Sequence, residues 1–429
     1  MKIFSFLKED HKKISQLFFL WLLGFFIISF LSIFYGSSRE ISFSLFIIYF
    51  FPLVFSLIIF IISRILPSFK FLQLFAYFLF FCITITSIFG ITKTMDGSYA
   101  SANSIFLFGL SFYTVSLGYI LLTKKKITFE DVLFISNPML VITGPIITNQ
   151  ASIKYKRLKS RIKYFAPFII FGLFLLEVVS VPLTASFHFA DRVDVISVVF
   201  FAIIFEVFIY SNFCGLSLII YGAFGIFGYL VPLNFKQPFS STTVMDFWKG
   251  WHRSLSNALK EFFYKPVRRG NSTYLAVFFV FIASALWHGT SINFILWGLL
   301  HFFTFSLTIF LISKDIKYLN IVILVFAIIF GRLLFLESDT DLLLTKLQFN
   351  FEGLGLMSEI IYLPKQTLFS LALIFLIISI EFKYQNHKYL RNRNYKLFRL
   401  PIFQVAFLIL ILLSVSDASG LLYPVYGQR

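Results

Sequence analysis

The sequence predicts an all-α fold, a polytopic bundle of transmembrane helices with re-entrant segments, and three observations carry that prediction. Of its 429 residues 59% are hydrophobic and only 13% charged, far from the balance of an ordinary soluble domain. Apolar stretches of about 17 to 25 residues, the length that crosses the hydrocarbon core as helix, recur along the whole chain. The Lys and Arg residues collect in the short loops between them, where they act as orientation signals. The formal net charge of +17 is therefore read as topology, and no nucleic-acid partner is expected. One membrane domain over residues 1–429 leaves no room for a separate soluble one.

The basic start, Met1 to Lys13, precedes an apolar run without a small-residue cleavage site, which predicts a retained first span. Apolar segments follow at 16–35, 41–63, 71–92 and 103–122. Lys2, Lys8, Lys12 and Lys13 precede the first, Arg64 and Lys70 follow the second, and Lys124, Lys125 and Lys126 follow the fourth. Simple alternation puts all three groups on one face, the cytoplasmic one, with the N-terminus. Gly36 to Glu40 and Lys93 to Ser101 then face outward. Segment 132–150 breaks the alternation, because Lys154, Lys156, Arg157, Lys159, Arg161 and Lys163 follow it directly. Both its ends belong inside, and Asn137-Pro138 and Gly144-Pro145 interrupt it, so it is expected to be re-entrant.

Segments 164–185, 193–212 and 214–231 come next, the last two separated by the polar run Ser211 to Gly215. Spans at 274–289, 292–312, 318–336, 367–382 and 402–419 complete the set, with Lys314 and Lys317 inside, the acidic stretch Glu337 to Glu359 outside, Lys383 to Arg399 inside, and Tyr423 to Tyr426 outside. Cys82 and Cys214 both fall in apolar segments, so neither a disulfide framework nor a thiolate metal site is indicated.

Chemistry concentrates between residues 232 and 293. His288 sits where the apolar run from Tyr274 gives way to Gly289, Thr290 and Ser291, and an ionisable group at membrane depth is a functional-site hypothesis by default. As a general base it would take a proton from an acceptor hydroxyl, with Thr290, Ser291 and Asn293 as candidate oxyanion donors. The stretch from Pro232 to Gly270 predicts a turn and then one amphipathic helix. Phe247, Trp248, Trp251, Leu255, Leu259, Phe262 and Phe263 fill one arc, and Lys249, Arg253, Ser256 and Lys260 lie opposite. His252 falls at the edge of the apolar arc, which turns its ring toward protein. The bland alternatives are a hydrogen-bonded core histidine, basic anchors on anionic lipid and packing tryptophans. Glu177 and Glu206, inside spans, are candidate partners for a buried His or Arg, or polar glue between helices. His11, His188, His301 and His387 lack supporting context.

These residues resemble a known family. Phe247-Trp248-Lys249-Gly250-Trp251-His252-Arg253-Ser254-Leu255-Ser256, continuing to Tyr264-Lys265-Pro266, looks like a signature of the membrane-bound O-acyltransferase family. So does Leu286-Trp287-His288-Gly289-Thr290-Ser291 through Trp297-Gly298. Gly109 to Thr114, Gly144 to Ile146, Tyr210 to Gly215 and Pro232 to Phe235 agree, so the resemblance covers about residues 105–300. Arg332 to Glu337 and its acidic sequel look most like bacterial alginate-type polysaccharide O-acetyltransferases. Asn212 stands where those enzymes have Asp, and Leu218 and Phe302 also depart from the pattern.

The resemblance implies a central funnel or tunnel with catalytic His288 at its floor and His252 as a second important histidine nearer the cytoplasm. It implies transfer of an acyl group, acetyl first, from a cytoplasmic thioester to a hydroxyl of an extracytoplasmic polysaccharide or cell-envelope glycan. The donor would be acetyl-coenzyme A or an acylated carrier protein, its phosphates meeting Lys249 and Arg253. No tightly bound cofactor or metal is expected, and a periplasmic acyl-passing protein and membrane lipids are candidate partners. The expected location is the bacterial cytoplasmic membrane. The alternatives are D-alanyl transfer to a wall polymer from an acyl-carrier protein, a transporter, whose pathways also use re-entrant segments and intramembrane His and Glu, and an idle scaffold in an export complex.

Overall fold

Helix is the chain's answer to a solvent that cannot hydrogen-bond its backbone, and nearly every described segment adopts it. The computed structural model describes residues 11–35, 41–65, 69–88, 102–124, 126–147, 151–152, 157–270, 272–316, 318–337, 339–348, 350, 360, 363–385 and 395–414. Gly36 to Glu40, Lys93 to Ser101, Lys125, Lys154, Lys156, His387, Tyr423 to Tyr426 and most of the acidic sequel to Glu337 lie outside the described residues.

Four apolar helices open the chain: α1 (His11–Tyr35), α2 (Ile41–Ile65), α3 (Phe69–Ile88) and α4 (Ala102–Thr123). Polar side chains fix their relative positions, since Tyr113 on α4 donates to the Pro52 carbonyl of α2 at 2.9 Å and lies 2.6 Å from the Ser56 hydroxyl. The next segment is two short helices, α5 (Phe129–Ile135) and α6 (Pro138–Thr143). At about 1.5 Å per residue neither can cross a membrane. Thr128 and Asp131 form a capping box at the start of α5, and Asn137 caps α6 through its side chain. The break between them is therefore built into the sequence.

The centre of the molecule is a pair of long helices. The α7 helix (Leu158–Leu173) continues through a π-turn, Phe174–Ser180, so that residues Leu158–Phe187 form one apolar rod. Beside it runs α8 (Val195–Phe227), 33 residues without interruption. The sequence suggested two segments divided at Ser211 to Gly215, and the structure corrects this. The Ser211 hydroxyl turns back to the carbonyls of Val207 (2.8 Å) and Phe208 (3.0 Å), so it leaves no polar group to break the helix. Gly215 serves close packing instead, because a Cβ there would lie 2.7 Å from the Gly172 carbonyl oxygen of α7. A two-residue antiparallel pairing, Ala151 with Leu230 and Ser152 with Tyr229, ties the segment after α6 to the end of α8.

The remaining helices are α9 (Val244–Gly250), α10 (Arg253–Leu259), α11 (Thr273–His288), α12 (Ile292–Ser313), α13 (Tyr318–Leu336), α14 (Thr340–Lys346), α15 (Lys365–Gln385) and α16 (Pro401–Ser414). Between α10 and α11 a π-turn, Lys260–Tyr264, leads into the short helix Lys265–Arg268. Five of the described helices are long and apolar enough to cross a membrane, and they carry rows of outward-facing apolar side chains such as Phe303, Phe310, Val322 and Phe326. The chain is a multi-pass membrane protein. A central funnel remains an expectation of the resemblance.

Candidate active site

The site grows from a turn threaded into a helix break. The sequence predicted one continuous amphipathic helix through 247–263, and its burial pattern is as expected, with Phe247, Trp251, Leu255, Leu259 and Phe262 buried and Lys249 and Lys260 exposed. Continuity is not. The helix stops at Gly250 and restarts at Arg253 because the turn from Pro232 to Pro238 takes its backbone partners: Lys236 N–H donates to the Gly250 carbonyl and Arg253 N–H to the Asn234 carbonyl, both at 2.8 Å. A periodicity argument sees only the helix's own residues and misses this intruding chain.

At the break His252 adopts φ 37° and ψ 53°, a left-handed conformation uncommon for a residue with a side chain. Ser254, fully buried, clamps the region. Its hydroxyl donates to Asn234 Oδ1 at 2.5 Å and accepts from Ile146 N–H at 3.1 Å. Three separate segments, those of Ile146, Asn234 and Ser254, thereby fix the position of His252. Its ring lies edge-on to Phe213 (4.8 Å between centroids), with Phe112 at 6.1 Å and Trp287 at 6.2 Å. Neither ring nitrogen has a hydrogen-bond partner among the described residues.

His288 is the last residue of α11, and Gly289 ends the helix by donating to Ala285 at 3.0 Å. The imidazole sits among Trp287 (4.7 Å), Phe335 (4.8 Å), Trp297 (5.6 Å) and Phe294 (6.2 Å). The residue as a whole keeps partial exposure, while its ring lies deep within the protein. Trp287 is shared by the two histidines, so they belong to one cluster on consecutive parts of the wall. Of the three candidate oxyanion donors, Asn293 is buried and its amide donates to the Leu334 carbonyl at 3.1 Å, tying α12 to α13. Thr290 and Ser291 keep partial exposure beside His288.

Two further features belong to this cluster. His301, to which the sequence assigned no role, is buried between Trp297 (4.8 Å), Trp248 (4.9 Å) and Phe281 (5.9 Å), its Nδ1 without a partner among the described residues. Gly331 makes room for it, since a Cβ there would stand 2.6 Å from His301 Nε2. Glu206 of α8 pairs with Arg332 of α13, its Oε2 accepting from both Nε and Nη2 at 2.5 Å. Glu206 was a candidate partner for a buried His or Arg, and Arg332 is the one it meets. The guanidinium lies 5.2 Å from the Phe335 ring and 5.9 Å from that of Trp251. The sequence marked Arg332 only through the resemblance of the stretch it opens, without naming its partner.

The basic residues of the short helices divide. Lys249 points outward and pairs with Asp246 at 2.9 Å, whereas Arg253, next to His252, is half-buried. Among the described residues no group of three or more His, Cys, Asp and Glu side chains could hold a metal ion. Cys214 is free and buried beside the Tyr395 hydroxyl at 3.4 Å.

Residues 117–330 match the sequence profile of the membrane-bound O-acyltransferase family. A peptidoglycan O-acetyltransferase of Helicobacter pylori is 38% identical over 98 residues, covering 22% of this chain and 18% of that protein. The "Probable alginate O-acetylase AlgI" of Pseudomonas fluorescens is 36% identical over 97 residues, 22% of this chain and 20% of that one. A teichoic acid D-alanyltransferase of Bacillus subtilis is 29% identical over 108 residues, 23% of this chain and 27% of its own length. The matched stretch thus spans about a fifth to a quarter of these curated relatives. The stretch that matches this family, residues 117–330, contains His252, His288, His301 and Glu206 and ends just before Arg332.

Proposed function

We propose that the chain is an O-acyltransferase that moves an acyl group, acetyl in our reading, from a cytoplasmic thioester to a hydroxyl of an exported polysaccharide or envelope glycan. The observation that carries the reading is His288: an imidazole at the end of an apolar span, set among aromatic rings, with His252 on the other side of the shared Trp287.

In the proposed step the imidazole of His288 removes the hydroxyl proton as the alcohol oxygen attacks the thioester carbonyl. A C–O bond forms, the C–S bond breaks, and the departing thiolate takes the proton from the imidazolium, so the histidine is regenerated. His252 would orient one reactant through a ring nitrogen. On this reading the N-terminus and the basic short helices face the cytoplasm, and the protein sits in a bacterial cytoplasmic membrane. Donor phosphates would meet half-buried Arg253 sooner than Lys249, which is already paired. An acylated carrier protein is the alternative to acetyl-coenzyme A as donor, and a periplasmic acyl-passing protein is a candidate partner.

The names of the relatives support acyl transfer to polysaccharide or wall polymers and leave D-alanyl transfer as the second reading. Mass spectrometry of envelope glycans from cells carrying the wild-type chain or His288→Ala decides between them. The expected result is loss of a base-labile ester in the variant at unchanged protein level, with the lost mass naming the acyl group. Unaltered esters in His288→Ala cells would refute the proposal and leave a transporter or a scaffold.

A further inference from the structure

Buried charges at one end of the α7 rod meet partners in the protein. Lys346 Nζ donates to the Ala190 carbonyl and to Glu337, each at 2.5 Å, and deeper in the bundle Arg332 meets Glu206. Two guanidinium groups at the opposite end of that rod do not. The Nε atoms of Arg161, on α7, and of Arg399, just before α16, are both buried with no hydrogen-bond partner among the described residues. A buried donor in that state calls for an acceptor from elsewhere.

The sequence explains why no carboxylate supplies it. Residues 132–176 hold six Lys and Arg residues and residues 382–414 another six, with no Asp or Glu in either stretch, and α8 has none from Val207 to its end. The two basic stretches meet at one place. There the Arg399 guanidinium lies 4.1 Å from the centre of the Tyr164 ring and 4.8 Å from that of Phe168. Arg161, Tyr164, Phe165 and Phe168 recur at helical spacing and share one face of α7, and Tyr221 of α8 packs on Phe165 and Phe168 at 5.5 and 5.0 Å. Contact with the rings sets the plane of Arg399. Arg161 lies against the end of α8, where a Cβ on Gly228 would strike its Nη1. Both arginines are half-buried, so part of each stays within reach of a ligand.

Depth selects the ligand. Past Lys163 the next charge along the chain is Glu177, and past Arg399 it is Asp417, so the cluster stands where charged chain gives way to membrane-length apolar chain. Beyond it α16 turns one face inward, Phe407 stacking on Phe174 at 4.3 Å, and leaves Ile402, Val405, Ile409 and Leu412 in an exposed row. Paired N–H donors above an apolar strip fit a molecule with a phosphate at one end and acyl chains at the other. A free phosphate would use only the first half. Basic residues at a membrane border contact lipid in many proteins; a buried, unpartnered Nε on each of two arginines sets this pair apart.

The geometry points to a phospholipid site: Arg399 and Arg161 hold the phosphate of an anionic phospholipid, whose chains lie along the outer row of α16. Arg399 is the stronger half, because its fork is already oriented by Tyr164 and Phe168. Neither acyl transfer nor His288 enters the inference.

Native mass spectrometry of the full-length chain in detergent tests it. Phosphatidylglycerol and phosphatidylcholine with the same acyl chains are offered in turn, and glycerol 3-phosphate is added as a competitor. Phosphatidylglycerol should bind saturably and more tightly than phosphatidylcholine, and glycerol 3-phosphate should not displace it. Arg399→Ala should weaken phosphatidylglycerol binding about fivefold, the share of one arginine at an anionic surface. Lys314→Ala, which removes an exposed charge at the end of α12, should leave it unchanged. If Arg399→Ala fails to fold, Arg161→Gln decides, with a similar weakening expected. Equal binding of the two phospholipids, displacement by glycerol 3-phosphate, an equal loss in Lys314→Ala, or a folded Arg399→Ala or Arg161→Gln chain that binds as the wild type does would overturn the site. No thioester or glycan takes part, so failure of this site and failure of acyl transfer are separate results.

Discussion

His252 concentrates two unfavourable features in one residue, a left-handed backbone and a buried ring whose nitrogens lack partners among the described residues. The backbone term costs about 1–2 kcal/mol for a residue with a Cβ. His252→Gly and His252→Ala both remove the ring, so their difference isolates the backbone. The glycine variant should be the more stable of the two by about 1 kcal/mol, the reverse of their order inside a helix, as read by thermal unfolding in detergent. A more stable alanine variant would mean that the left-handed turn is not retained. His252 and His288 stood out in the sequence, one at the edge of an amphipathic arc and the other where an apolar run ends. His301 did not, since it continues its pattern. Its environment is supplied by Trp248 and Gly331, which are near only after folding. Glu206 was legible as a buried charge in need of a partner, but which Arg or His it would meet depended on how α8 and α13 cross.

At the scale of elements, hydropathy located the spans well because burial in lipid demands continuous apolar length. Segments 274–289 and 292–312 correspond to α11 and α12 almost residue for residue. It read the interior of the bundle less well. A helix buried on all sides has no polar face whose phase can be followed, so the polar run in α8 resembled a break and the true break at Trp251 and His252 resembled a helix. In the first case the hydroxyl is satisfied within the helix. In the second a foreign strand of chain completes the backbone bonds. The contact of Gly172 with Gly215 gives this scale its prediction. Gly215→Leu would push a side chain against the opposing carbonyl, and separating α7 from α8 should destabilise the folded protein by about 2 kcal/mol or more. Thermal unfolding measures it, and a loss below about 0.5 kcal/mol would show that the two backbones can part without consequence.

For the molecule as a whole, the distribution of charge predicts which parts share a side of the membrane. Lys260, exposed on the basic side of the short helices, and Asp341, exposed in α14, are separated by α11, α12 and α13, which the sequence predicts to be three crossings although α11 is shorter than the five helices long enough to span. Cysteines introduced at the two positions should therefore react with a membrane-impermeant maleimide from opposite sides, position 260 from the cytoplasm and position 341 from outside. Labelling of both from one side would reverse the proposed arrangement of donor and acceptor. The amine of Lys346 carries a last consequence. A carbonyl activated for attack by an alcohol is open to attack by nitrogen as well, and an amide once made would stay. Engaged by Glu337 and a backbone oxygen, this nitrogen is committed to partners of its own. The transfer proposed at His288 is thereby spared a competitor that could have poisoned the machine with its own product.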